Sequence, residues 1–210
     1  EIPLRLVGSE MCIRDRVNME AYIFKTVIFV SLIIYGLIRM PFMKKCKLKQ
    51  NIKSENLSYE KFKVFIAWLG MVLVPMIFVF SNVFVKFDMN LPVYIRILGV
   101  MGLIADAVFF YYIHKELSDN WSPVLEIKEE QKLIKTGVYK YIRHPMYTQC
   151  WLWVFFTGIA ASNWFVLVFG LVTWGFLYFT RVFNEEKMML GEFGAEYSCL
   201  LYTSDAADDK

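Results

Sequence analysis

The sequence predicts an all-α integral membrane bundle of about five transmembrane helices, and three observations carry that prediction. Hydrophobic residues make up 57% of the 210 residues and charged ones only 20%, more apolar surface than a soluble domain of this size can bury. The apolar residues come in long runs rather than in strand-like alternation. Basic residues gather in alternate connections, as they do in a chain that crosses a membrane back and forth. The length suits a single domain, most of which a few spanning helices would use up.

The first run, Ala21 to Met40, has twenty residues and as a helix is about 30 Å long, enough to cross a hydrocarbon core. Lys25 and Arg39 lie near its two ends, where long cationic side chains reach the interface. The run lacks the shorter apolar core and small-residue cleavage site of a signal peptide, so it reads as a retained span. Residues 41–63 then carry seven lysines against two glutamates. A second span extends from Val64 to about Phe84, a short link reaches Pro92, and a third span runs from about Val93 to Ile113. Residues 114–144 hold six Lys or Arg. The positive-inside rule puts both basic connections in the cytoplasm and the short link and N-terminus outside.

Met146 to Ala161 forms a fourth span of sixteen residues, about 24 Å as a helix, so its start lies inside the cytoplasmic interface. A polar turn at Ser162-Asn163 leads into a fifth span, Trp164 to about Val182. From Asn184 to Tyr197 apolar and charged residues alternate at helical spacing, as in a helix lying along or under the bundle. The two ends differ in character. Residues 1–16, with Val7-Gly8-Ser9-Glu10-Met11-Cys12-Ile13-Arg14-Asp15-Arg16, and residues 199–210 resemble translated sequencing-adapter read-through. Such segments are expected to be non-native and are set aside, which leaves residues 17–198 as one membrane domain.

Composition also excludes several classes. A net charge of +3, without a basic stripe interleaved with aromatics, argues against nucleic-acid partners. The four cysteines show neither CxxC pairing nor disulfide-scaffold density. His114 and His144 are the only histidines, and neither has Cys, Asp or Glu at ligand spacing, so no metal is expected. No glycine-rich phosphate loop or alternation of strands and helices supports a Rossmann nucleotide site. Asp106, midway along the third span, is expensive in lipid; a direct role and a buried structural pairing both explain it.

Chemistry is concentrated at one end. Between Gln131 and Tyr147 polar groups gather against the start of the fourth span. Pro145 suits a first helical turn and biases His144 towards an extended backbone. Taken alone, these residues fit an interfacial belt of Lys, Arg, Tyr and Pro as well as they fit a site. Arg181 and Glu185 stand four apart at the same end of the last span and share a helix face. An exposed pair in that order contributes only about 0.3 to 0.5 kcal/mol, so stability is a weak reason for it and a ligand-facing role is the better one.

Asn120-Trp121-Ser122-Pro123, Gly137-Val138-Tyr139 with Tyr141-Ile142-Arg143-His144-Pro145-Met146-Tyr147, and Arg181 followed by Glu185-Glu186 and Phe193-Gly194-Ala195-Glu196-Tyr197 together resemble the isoprenylcysteine carboxyl methyltransferase family. The likeness extends to the wider group of phospholipid N-methyltransferases and spans residues 115 to 198. The resemblance implies an S-adenosylmethionine-dependent methyltransferase with a cytoplasmic cofactor pocket, reached by a lipophilic or prenylated substrate through the membrane lipid. Carried over by position, Gln131, Lys132, Leu133, Ile134, Tyr139, Arg143, His144, Pro145, Met146, Tyr147, Glu185 and Glu186 are the cofactor-binding candidates. Arg181 is the candidate catalytic residue that orients the substrate. The family often carries His in place of Gln131 and Gly in place of Gln149, and the basic stretch that usually follows the Phe-Gly-x-Glu-Tyr motif is replaced here by the adapter-like tail. Two other classes stay open: an NADPH-dependent membrane reductase of the sterol-reductase type, similar in its C-terminal helices, and a non-catalytic transporter or scaffold. The first predicts extra basic groups for a ribose phosphate, and the second polar residues spread through several spans.

Overall fold

Away from water each backbone N–H and C=O must find its partner within its own segment, which makes helices of the apolar runs. A computed structural model describes the backbone of residues 4–48, 57–117, 137–140, 142 and 144–208, and the side chains of 19–44, 58–117, 137–140, 142, 144–191 and 194. Helix α1 covers Leu4–Leu48, α2 Leu57–Trp68, α3 Val74–Phe80, α4 Val93–Leu117, α5 Pro145–Ala161 and α6 Trp164–Asp208. No strand occurs among the described residues beyond a single bridge between Asp88 and Asn163. Four stretches are long and apolar enough to cross a membrane: Met19–Lys44, Ser58–Phe80, Val93–Leu117 and Trp164–Gly191. Helix α5, of 17 residues, is about 25 Å long and so shorter than these four. It packs against α4, α6 and α1, while α2 lies on α6.

Both bounds of the second span differ from the sequence expectation. The second span begins at Leu57 rather than Val64, so Glu60, Lys61 and Lys63 are helical rather than part of the basic connection, and it ends at Phe80 rather than Phe84. It stops there because Ser81 is extended (φ −136°, ψ 167°) and the turn receives Lys25, whose Nζ donates to the Ser81 carbonyl at 3.1 Å and to Asn82 Oδ1 at 3.0 Å. The charged stretch from Asn184 is likewise no separate surface helix. It continues α6 until Gly194 (φ 48°, ψ −121°), because nothing between Val182 and Gly194 breaks a helix.

Within the second span, α2 passes through a π-helical turn, Leu69–Leu73, into α3. Pro75 has no N–H to offer the carbonyl four residues back, that of Met71. The indole N–H of Trp153 on α5 approaches this carbonyl instead, at 3.4 Å. A proline inside a span is thus accommodated by a widened turn and a neighbouring helix.

Halfway through the bundle, Asp106 of α4 accepts the Tyr35 hydroxyl from α1 and Gln149 Nε2 from α5, the latter at 2.7 Å. Asp106 and Gln149 are both buried, so one carboxylate ties three helices together, which accounts for an acidic residue at that depth. Gln149, at a position where the family often has glycine, is the α5 partner of this tie.

The opposite end from Arg181 is organised by Ser162 and Asn163. Ser162, at φ 55°, turns the chain out of α5. Its carbonyl accepts Met89 N–H at 2.8 Å and its hydroxyl accepts Leu91 N–H at 2.9 Å. Asn163 is wholly buried, and its Oδ1 caps α6 by accepting the N–H groups of Phe165 and Val166 at 3.1 and 3.2 Å. Its Nδ2 donates to the Phe84 carbonyl and to Asp88 Oδ1, each at 2.8 Å. Replacing Asn163 by Ala removes the cap from the N–H groups of Phe165 and Val166 and takes the donor away from the Phe84 carbonyl and from Asp88. The expected cost is about 1–3 kcal/mol, read as a lower thermal midpoint in detergent; an unchanged midpoint would show that the turn does not depend on this side chain.

Candidate functional site

Pro145 opens α5 as the first helical residue, where its missing N–H costs nothing. His144, just before it, has φ −124°, the extended value that a following proline favours. The His144 carbonyl accepts the Thr148 N–H at 3.0 Å and so starts the helix. This leaves the His144 ring outside the first turn and puts Tyr147 on the buried side.

Both side chains meet the last span. The Tyr147 hydroxyl donates to Glu185 Oε2. His144 Nε2 lies 3.1 Å from Glu186 Oε1, and since an ionised carboxylate can only accept, Nε2 carries the hydrogen. The Tyr147 ring packs edge-on against Tyr178 at 5.5 Å between centroids and tilts against Trp174 at 5.9 Å. Two motifs 38 and 42 residues apart in sequence thus form one cluster.

The connection before α5 is anchored from α4. Gly137 takes φ 61°, and a side chain there would collide with the Glu116 carboxylate. Glu116 Oε2 accepts the Val138 N–H at 3.0 Å, holding the short 3₁₀ turn Gly137–Lys140 that carries Tyr139. Only glycine fits this close approach at positive φ without strain. Burial, followed by the charges of Glu185 and Glu116, pushes the Tyr139 phenol above its ordinary value.

Arg181 lies one turn before Glu185 on α6 and is itself buried. Its Nε stands 3.8 Å from Glu60 Oε2 on α2, and the same Glu60 pairs with the buried Lys63. Of the residues singled out from sequence, Tyr139, His144, Pro145, Met146, Tyr147, Arg181, Glu185 and Glu186 are gathered at this end of the bundle. Gln131, Lys132, Leu133, Ile134 and Arg143 lie outside the described residues. Glu116, Glu60 and Lys63 were not singled out. Their only signal in the sequence was position, as charged residues next to the ends of apolar runs.

A raised phenol pKa predicts a specific pH response. The folded state favours the neutral phenol, so Tyr139 contributes stability that is fully present below about pH 10 and is lost as pH rises above it. Between pH 9 and about 10.5, Tyr139→Phe is expected to leave the phenolate absorbance gained by the folded protein unchanged. A loss of one tyrosine's share of that absorbance would refute the neutral phenol.

Fold and site together define a multi-pass helical membrane protein with a polar cluster at one end of its bundle. Residues 97–191 match the model of the isoprenylcysteine carboxyl methyltransferase (ICMT) family, which bears out over that segment the resemblance carried by the motifs. Among proteins, the chain is similar to a protein-S-isoprenylcysteine O-methyltransferase of Saccharomyces cerevisiae, 37% identical over 81 residues, covering 37% of this chain and 34% of that one. It is similar also to proteins of the same name from Dictyostelium discoideum, 32% identical over 34% of this chain and 30% of the other, and Schizosaccharomyces pombe, 33% identical over 33% and 29%. The matches span about a third of the length of these curated relatives.

Proposed function

We propose that this chain is an S-adenosylmethionine-dependent methyltransferase of lipophilic substrates, and that it O-methylates the carboxylate of an isoprenylcysteine-like group. The observation that carries the reading is the meeting of His144 and Tyr147 with Glu186 and Glu185, one helical turn from Arg181, inside the stretch that matches the family. The donor set suits this cofactor. Carboxylates suit an amino group and ribose hydroxyls, and aromatic faces suit a sulfonium cation.

Tyr139, His144, Tyr147, Glu185 and Glu186 would hold the cofactor, together with Gln131, Lys132, Leu133, Ile134, Arg143, Pro145 and Met146 from the family pattern. When bound, S-adenosylmethionine supplies an electrophilic methyl group on a sulfonium centre. The rest of the work is positional. A substrate carboxylate is already ionised at neutral pH, so no side chain has to remove a proton. Arg181 orients it, because a planar guanidinium fork fixes a carboxylate in one plane and in line with the methyl group. The substrate's hydrocarbon reaches this end through the bilayer. Both basic connections are on the cytoplasmic side in this reading, which puts the site there and the N-terminus outside. Residues 17–198 act as one domain, with the cofactor part in 115–198.

In detergent-purified protein, S-adenosylhomocysteine is expected to bind and NADPH is not. Tight binding of NADPH alone would overturn the reading in favour of a reductase. Glu185→Ala is expected to abolish S-adenosylhomocysteine binding. Arg181→Ala should spare that binding while lowering turnover of a prenylcysteine acceptor by about 100-fold or more; turnover that survives this change would disprove the role given to Arg181.

A further inference from the structure

The segment that matches the family begins at residue 97, yet Arg181 meets a charged pair from outside it. Glu60 and Lys63 occupy the first turns of α2. Lys63 is 1% exposed and Glu60 7%, depths at which a charge requires a partner. Glu60 serves as partner to two cations, binding Lys63 one turn along its own helix and facing Arg181 Nε across to α6 at 3.8 Å. Lys63 is held further by the Tyr59 ring, 4.8 Å from its Nζ. The helices can come this close because Gly70, further along the same span, presses on α6. A Cβ at Gly70 would stand 1.9 Å from Thr173 Oγ1.

We infer that Glu60 is a positioning residue: its carboxylate, fixed by Lys63, holds the Arg181 guanidinium at the place from which it is presented to a substrate carboxylate. The inference rests on the proposed methyl transfer. The distance exceeds a hydrogen bond, so the attraction is Coulombic and leaves Arg181 able to adjust as substrate arrives. An anion beside Arg181 also opposes binding of a second anion. Glu60 therefore trades acceptor affinity for orientation, and the two effects separate in kinetics.

The test uses the full chain in detergent or nanodiscs, with a prenylcysteine acceptor and turnover expressed per S-adenosylhomocysteine-binding site. Glu60→Gln is expected to lower kcat per site by roughly tenfold or more while the acceptor KM stays level or falls. Glu60→Asp, which keeps the charge, should recover part of kcat. In an Arg181→Ala background, where no cation is left to hold, Glu60→Gln should have little further effect on kcat. An active wild type in which Glu60→Gln leaves kcat per site unchanged, or raises the acceptor KM, overturns this assignment alone. Equal loss of kcat in Glu60→Asp and Glu60→Gln overturns it too, since charge would then not matter. A wild type that binds neither S-adenosylhomocysteine nor acceptor and transfers no methyl group overturns the proposed function and this assignment with it.

Discussion

The site depends on how α5 and α6 are joined. These helices run antiparallel from the Ser162–Asn163 turn, and Asn163 uses both its donor hydrogens and its carbonyl there to cap one helix and bind the short link between α3 and α4. A turn satisfied in this way admits little slippage between the helices. The consequence is felt at the far end, where His144 and Tyr147 meet Glu186 and Glu185. A shift of one residue between the helices would rotate one side chain of each pair by about 100° and separate them.

Two buried carboxyl groups of the bundle answer to one rule, that a polar group buried in an apolar medium needs a partner. Asp106 satisfies it with Tyr35 and Gln149, and Glu60 with Lys63 and Arg181. The two clusters differ in what they join. Asp106 links α1, α4 and α5 midway along the bundle, a tie between spans. Glu60 links α2 to α6 at the end where Tyr139, His144 and Tyr147 also gather. The first strengthens the scaffold, and the second lies among the groups proposed to do chemistry.

Much of this was legible along the chain. Long apolar runs with charge confined to alternate connections specify spanning helices whatever their neighbours, because the cost of an unpaired backbone in lipid is local to each segment. Pro145 announced the start of α5, and Asp106 announced a buried partner. The motifs around His144 and Glu185 identified the residues that converge, since motif likeness transfers a spatial arrangement that the chain alone does not display. The end of the second span was misjudged because Val83 and Phe84 resume the apolar run just past the polar Ser81-Asn82, while the turn there answers to Lys25 from a different helix.

By itself, then, the sequence determined the all-helical membrane class, the order of the spans and the end at which polar chemistry gathers, all of which follow from hydropathy, charge and proline placement within single segments. The tertiary structure alone decided the partners: Tyr35 and Gln149 for Asp106, Glu116 for the Gly137 turn and Glu60 for Arg181. The reason is physical. A buried charge can be neutralised by any helix that packs against it, and spacing along one chain says nothing about which helix that is.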